Sequence, residues 1–166
     1  LKHNSNFMAT PNLVILGSGF AAYRLLRDID LRRYAVTVVS PRNHFLFTPL
    51  LTSTTIGTIE FRSIIEPVRH ARRHHFKYYQ AEAVALDTAA RAVTCRGNLI
   101  QRDFSLSYDL LVIAVGAANN TFGVPGVAEH AFFLKELSDA RAIRERLIAN
   151  FEAAANPALS DQERKT

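Results

Sequence analysis

Hydrophobic positions along the chain fall into short runs broken by glycine, not into long apolar stretches. Leu13-Val14-Ile15-Leu16 is a continuous apolar run that stops at Gly17, the pattern of a parallel strand buried on both faces. Ala22, Leu25, Leu26 and Ile29 then recur at i, i+3, i+4 and i+7, which predicts a helix. Val36-Thr37-Val38-Val39 is rich in β-branched residues and predicts a second strand. Strand, glycine turn, helix and strand make one βαβ unit.

Pro41 to Thr58 reads as a long irregular region containing Pro49 and Gly57. Phe61, Ile64, Ile65 and Val68 repeat the helical spacing, and the basic, His-rich run Arg69 to Lys77 ends the helix they predict. Two or three strands are expected, over Phe76–Gln80, Glu82–Leu86 and Arg91–Cys95, as a small meander attached to the main sheet. Tyr108-Asp109 introduces Leu110 to Val115, the strongest buried-strand signal in the chain. Gly116 to Gly126 reads as a loop. Ser138 is the expected cap of a last helix with Ile143, Leu147, Phe151 and Ala154 on one stripe, stopped by Asn156-Pro157. Residues 1–11 lack apolar periodicity and are expected to be a flexible segment, with order beginning at Asn12. The fold class is α/β: a Rossmann-like domain with a parallel sheet and a small β-meander.

The 166 residues suit about one domain, and 48% hydrophobic with 21% charged residues is globular composition that excludes wholesale disorder. Leu110 to Val115 is too short to cross a bilayer. The single cysteine, Cys95, excludes an internal disulfide framework and a Cys-based zinc site, and reads as a strand core residue. His3, His70, His74 and His75 have no ligand-spaced Cys, Asp or Glu beside them, so no metal site is expected. The formal charge of +5 is concentrated in residues 60–80, where Arg62, Arg69, Arg72, Arg73 and Lys77 face Glu60 and Glu66. Such a patch suits a solvated face, anionic lipid or a phosphate-bearing ligand. No nucleic-acid module motif accompanies it, so nucleic acid is not an expected partner.

The chemistry centres on Gly17-Ser18-Gly19-Phe20-Ala21-Ala22, a G-x-G-x-x-A turn between strand and helix. Gly17 permits the tight turn, Gly19 lets a pyrophosphate approach the backbone, and Ala22 lets helix and strand pack closely. The helix N-terminus adds N–H donors and a positive dipole end. The acidic residue that usually ends the second strand and holds a ribose is Ser40 here, which offers a hydroxyl without charge. Arg42 suits an adenosine phosphate or a 2′-phosphate, so FAD, NAD and NADP all remain open on these residues. His44 to Leu51 is too apolar for a polar loop and suits a segment packed on a flat ring, with Thr48 offering a hydroxyl and Pro49 fixing the backbone. Ala114-Val115-Gly116-Ala117 ends the apolar strand in small residues, which suits close backbone approach. Gly17, Ser40 and Gly116 all stand at strand ends, where an elongated ligand lies in doubly wound folds. There is no G-x-S-x-G elbow and no convincing acid, base or nucleophile.

Taken together these stretches resemble the type II NADH:quinone oxidoreductases, the alternative NADH dehydrogenases, in the mitochondrial, eukaryotic branch. The likeness runs from about Asn12 to Glu163 and is carried by Leu13 to Ala22, Ser40 to Leu51, Gly57 to Pro67, Tyr108 to Gly116 and Asn120 to Glu136. In that family serine commonly ends the second strand, and tryptophan often stands where Phe20 is. The resemblance implies the FAD-binding part of a two-dinucleotide-domain flavoprotein. Gly17, Ser18, Gly19, Phe20, Ala21 and Ala22 would line the FAD pyrophosphate. Ser40, Pro41 and Arg42 would surround the adenosine ribose, and Thr48 and Pro49 would lie near the flavin ring. Ala83 or Val84 would meet adenine through the backbone, and Ala114 and Gly116 would close over the cofactor.

The chemistry so implied is hydride transfer from NADH to FAD and electron transfer to ubiquinone without proton pumping, and no side chain here is needed as catalytic acid or base. The resemblance places the parent protein peripherally on the mitochondrial inner membrane, attached through a C-terminal part that lies outside residues 1–166, and leaves a homodimer open. No second G-x-G-x-x-G occurs, so residues 12–166 are expected to be the N-terminal part of the FAD/NAD(P)-binding domain, without the NADH-binding domain. The isolated chain is therefore expected to bind FAD poorly and to lack NADH:quinone activity. A related flavoprotein such as a sulfide:quinone reductase is the alternative enzyme, but it calls for redox cysteines. A non-enzymatic nucleotide-binding fragment is the alternative outside enzymes.

Overall fold

The computed structural model describes residues 10–71, 75–160 and 162. His3, Arg72, Arg73, His74 and most of the segment 1–11 lie outside the described residues. The chain divides into two units, Leu1–Phe45 with Glu66–Ala117 and Leu46–Ile65 with Ala118–Thr166.

In the first unit β1 (Asn12–Leu16), α1 (Phe20–Asp28) and β2 (Ala35–Ser40) form the expected βαβ unit. β1 has parallel neighbours on both sides, β2 and β8 (Leu110–Ile113). Its continuous apolar run follows from that position. Leu13 and Ile15 face one way and pack with Ala22, Leu26, Val36, Val38, Val68 and Tyr78. Val14 and Leu16 face the other way and pack with Val39, Ala81, Val93 and Cys95. A strand sheathed on both faces has no polar alternation to show.

β5 (Lys77–Asp87) is one eleven-residue strand, not the two expected from the sequence. Its first residues pair parallel with β2, and from Ala81 onward it pairs antiparallel with β6 (Ala92–Gly97). Ala81 is buried and holds the strand extended where a break is expected. A further strand that the pattern does not predict, β7 (Asp103–Ser107), pairs antiparallel with β6. The resulting order is β7-β6-β5-β2-β1-β8. β8 therefore lies at an edge, with Leu110 48% and Ile113 60% exposed, which corrects its reading as a buried strand. An apolar run signals that a strand can be covered and does not say on how many sides it is.

The helix expected from Phe61 to Val68 does not form. The segment is a 3-10 turn at Phe61–Ile64, strand β4 (Ile65–Pro67) and a second 3-10 turn at Val68–His70. Pro67 has no N–H to give an α-helix, and it disfavours helical backbone at Glu66. β4 instead pairs with β3 (His44–Leu46), inside the region expected to be irregular. The chain passes from one unit to the other within both short strands.

The second unit contains a 3-10 turn at Thr48–Leu50, α2 (Leu51–Thr55), α3 (Val127–His130) and α4 (Leu137–Ala154). Leu46, Leu51, Ile64 and Ala140 form its core. α4 is capped two residues earlier than the sequence reading places it. Glu136 and Asp139, not Ser138, form a reciprocal capping box in which the Asp139 carboxylate accepts the Glu136 N–H at 2.8 Å. The expected stripe is largely exposed, Leu147 at 44% and Phe151 at 76%. Residues 116–126 contain no helix or strand, as expected. Among the described residues no helix is long and apolar enough to cross a membrane.

Candidate nucleotide-binding site

Three parallel strands deliver their carboxyl ends to one edge of the first unit. The Gly17 N–H donates to Val39 O at 2.8 Å, and the Ala114 N–H donates to Leu16 O at 2.8 Å. The ends of β2, β1 and β8 are thereby tied side by side, and the glycine turn lies between the other two. Gly17 has φ +110°, and a Cβ built there would stand 2.3 Å from the Ala114 carbonyl oxygen. Glycine is required twice over, by backbone conformation and by space. The small residues after β8 thus make room for the glycine turn itself.

Gly19 differs. It is the N-cap of α1 with φ −78°, and a Cβ there would meet nothing within 4 Å. No side chain caps the helix and its first turn holds no acidic residue. Open space in front of an uncapped helix N-terminus is what a pyrophosphate needs. Ala22 is fully buried in the first core cluster, so α1 lies close on the sheet. Ala21 and half of Phe20 are exposed. Phe20 meets Phe45 edge-to-face at 5.0 Å, and Phe45 stacks on Tyr23 at 4.3 Å. The Tyr23 hydroxyl donates to the Glu66 carboxylate, and burial, followed by that carboxylate, pushes the phenol pKa up.

Ser40 stands at the end of β2 and is 3% exposed. Its hydroxyl is 2.9 Å from that of Ser18 and accepts the Arg42 N–H at 3.2 Å. Pro41 is exposed and Arg42 is partly buried. The Pro41 carbonyl accepts Gln80 Nε2 at 3.2 Å and Asn98 Nδ2 at 3.1 Å. The sequence reading singles out neither Gln80 nor Asn98, and exposed amides carry no pattern that marks them. Ala83 pairs with Cys95 and Ala85 with Thr94, so Val84 is the extra residue of a bulge and is 42% exposed. Ala114 is partly buried beside Gly17, and Gly116 has φ +75° with open space around it. Gly17, Ser18, Ser40, Arg42 and Ala114 are therefore linked in the first unit. Thr48 and Pro49 belong to the second, where they open the 3-10 turn and are exposed.

Cys95 is fully buried, and burial pushes its thiol pKa up. It is a packing residue of β6 and is not poised as a redox nucleophile. Asp109, just before β8, accepts the Asn12 N–H at 2.7 Å and pins the start of β1. Among the described residues no group of three or more His, Cys, Asp or Glu could hold a metal ion.

Fold and glycine turn define a dinucleotide-binding α/β domain, with parallel order β5-β2-β1-β8 and the turn at the end of the first strand. The family model described as pyridine nucleotide-disulphide oxidoreductase matches residues 11–154, and the chain belongs to that family. Along its full length it is 49% identical to an external alternative NAD(P)H-ubiquinone oxidoreductase B1, mitochondrial, of Solanum tuberosum, covering 30% of that protein. It is similar to NDH2 of Plasmodium falciparum, solved in complex with NADH, at TM-score 0.87 and 35% identity over 93% of this chain and 32% of that one. It also resembles the sulfide:quinone oxidoreductase of Aquifex aeolicus, at TM-score 0.71 and 25% identity over 89% of this chain and 33% of that one. The chain spans about a third of the length of these relatives.

Proposed function

We propose that this chain forms the FAD-holding part of a non-proton-pumping mitochondrial NAD(P)H:ubiquinone oxidoreductase. The observation that carries the reading is the 49% identity, sustained along the whole chain, to the Solanum tuberosum enzyme. The residues present fit the cofactor: Gly19 leaves open space before an uncapped helix N-terminus. Gly17, Ser18, Gly19, Phe20, Ala21 and Ala22 would line the pyrophosphate, with backbone N–H groups and the helix dipole meeting its charge. Ser40, Pro41 and Arg42 would shape the adenosine end, and the bulge at Ala83–Val84 would offer backbone groups to adenine. Ala114 and Gly116, just after β8, would flank the cofactor, and by the family resemblance alone Thr48 and Pro49 would lie near the flavin ring.

FAD bound there supplies a two-electron redox centre, and the chain's own contribution is to bind and orient it. NAD(P)H and ubiquinone as reactants, and a mitochondrial location, are proposed for the whole protein on its likeness to the Solanum tuberosum enzyme. The buried, protonated Cys95 gives the sulfide:quinone alternative no redox thiol in this chain.

FAD titrated into the purified chain tests the reading, followed by flavin fluorescence and the visible spectrum. Weak but saturable binding that ADP competes away is expected, with no NADH-dependent quinone reduction. Failure to saturate overturns the FAD site, and quinone reduction by the chain alone overturns the proposed division of labour.

A further inference from the structure

The segment after β2 is held with unusual completeness. Every carbonyl from Ser40 to His44 lies within hydrogen-bond distance of a protein donor. Tyr78 Oη donates to Ser40 O at 3.1 Å, and Gln80 and Asn98 donate to Pro41 O. Ser18 Oγ lies 3.0 Å from Arg42 O and 3.3 Å from His44 O, and the Val68 N–H donates to Asn43 O at 3.0 Å. Carbonyl oxygens would repel a phosphate, and here they are committed to protein donors.

Ser18 is the hub. It is 4% exposed, and its hydroxyl, with one proton to give, lies within hydrogen-bond distance of Arg42 O, His44 O and Ser40 Oγ. With the Ser18 proton on Arg42 O, the 2.9 Å link to Ser40 takes the Ser40 proton, while Ser40 Oγ accepts the Arg42 N–H. In that arrangement the Ser40 hydroxyl is spent inside the protein on both sides.

We propose that Ser18 and Ser40 are a hydroxyl clamp that presets residues 40–44 for the nucleotide, and that Ser40 is a positioning residue whose hydroxyl does not touch the ribose. The proposal rests on the FAD reading above for its ligand and on the ligand-free geometry for its mechanism. It explains how a strand end without a carboxylate serves an adenosine site: a hydroxyl can give a proton to Ser18 and accept the Arg42 N–H, where an ionised carboxylate could only accept. The clamp fixes the backbone of the segment in advance, so binding does not bear the cost of ordering it.

Two measurements test it. Amide hydrogen exchange on the ligand-free chain compares wild type with Ser18→Ala and Ser40→Ala. Exchange at Arg42 about tenfold faster in both variants is expected, and unchanged exchange overturns the clamp. Affinity is then measured for FAD and for its 2′-deoxy- and 3′-deoxyadenosine analogues. Ser40→Ala is expected to weaken all three equally, by about 5- to 30-fold. A loss confined to FAD would show that Ser40 holds the ribose and would overturn the proposal. The double variant is expected to bind no worse than the weaker single, because one unit is broken in each case; additive losses count against a clamp. Should Ser18→Ala not fold, Ser40→Ala breaks the same link from the other side, and Ser40→Thr, which keeps the hydroxyl, is expected to restore affinity to within about threefold of wild type. Should wild type not bind FAD, the functional reading falls and the Arg42 exchange rates still decide the clamp.

Discussion

Gly17 and Gly19 sit two residues apart and carry opposite constraints. At Gly17 a methyl group meets backbone, at 2.3 Å from Ala114 O, in a conformation L-residues rarely adopt. Gly17→Ala is expected to lower stability by about 2–4 kcal/mol in urea unfolding, from strain and displacement of the β8 end together. At Gly19 the same methyl enters open space. Gly19→Ala is expected to stay within about 0.5 kcal/mol of wild type in the same assay and to bind FAD much more weakly. A destabilised Gly19→Ala would mean that this glycine serves the fold. Cys95 gives a third expectation at this scale. Its thiol is raised by burial, so folded protein keeps the proton at pH values where the unfolded chain has lost it. Stability is then full below the ordinary thiol pKa, about 8.5, and falls as pH rises from there toward the folded value. Tyr78 and Tyr23, both raised, extend the fall at higher pH. Unfolding midpoints across alkaline pH check this, with a shallower fall expected for Cys95→Ala.

Elements differ in how plainly they are written in the residues. β1, α1 and β2 are legible because period, β-branching and the glycine stop agree with one another. β8 is legible as a strand but not as an edge, since Leu110 and Ile113 look the same in sequence covered or bare. Phe61 to Val68 misleads because four apolar positions match a helix while one proline forbids it. β7, with Phe104 and Leu106 between polar residues, shows only a brief alternation and is found through its pairing with β6. The glycine turn of the candidate site is legible from spacing alone. The Ser18 clamp is not, because two of its partners are backbone carbonyls 24 and 26 residues away, and carbonyls leave no trace in residue type. The capping of α4 is legible only in hindsight: Glu136 and Asp139 stand three apart but reverse the usual order of small cap and long acid. Asp139→Ala removes the acceptor of two N–H groups, from Lys135 and Glu136. It is expected to cost about 1 kcal/mol in thermal or urea unfolding.

At the scale of the molecule, the sheet is assembled from pieces of very different reach. β5, β6 and β7 pair with one another through short connections, and β5 reaches further back to β2, with Thr37 opposite Lys77. β1 pairs with β2 across one helix, but with β8 across nearly a hundred residues, Leu13 standing opposite Leu110. That seam, the longest in reach, carries the Ala114 end of the candidate site.

The seam also sets an order of events in time. Local hairpins close on the microsecond scale, whereas joining β1 to β8 must first gather the whole intervening chain. β8 is therefore expected to dock late, after the folding barrier. A substitution on it, such as Val112→Ala, should leave the refolding rate nearly unchanged and speed unfolding, and stopped-flow chevrons read both limbs. On the same argument β8, an edge strand, is expected to exchange its amides sooner than β1 and β2, which lie inside the sheet. The wall that Ala114 gives the glycine turn would then open and reclose while β1 and β2 stay paired.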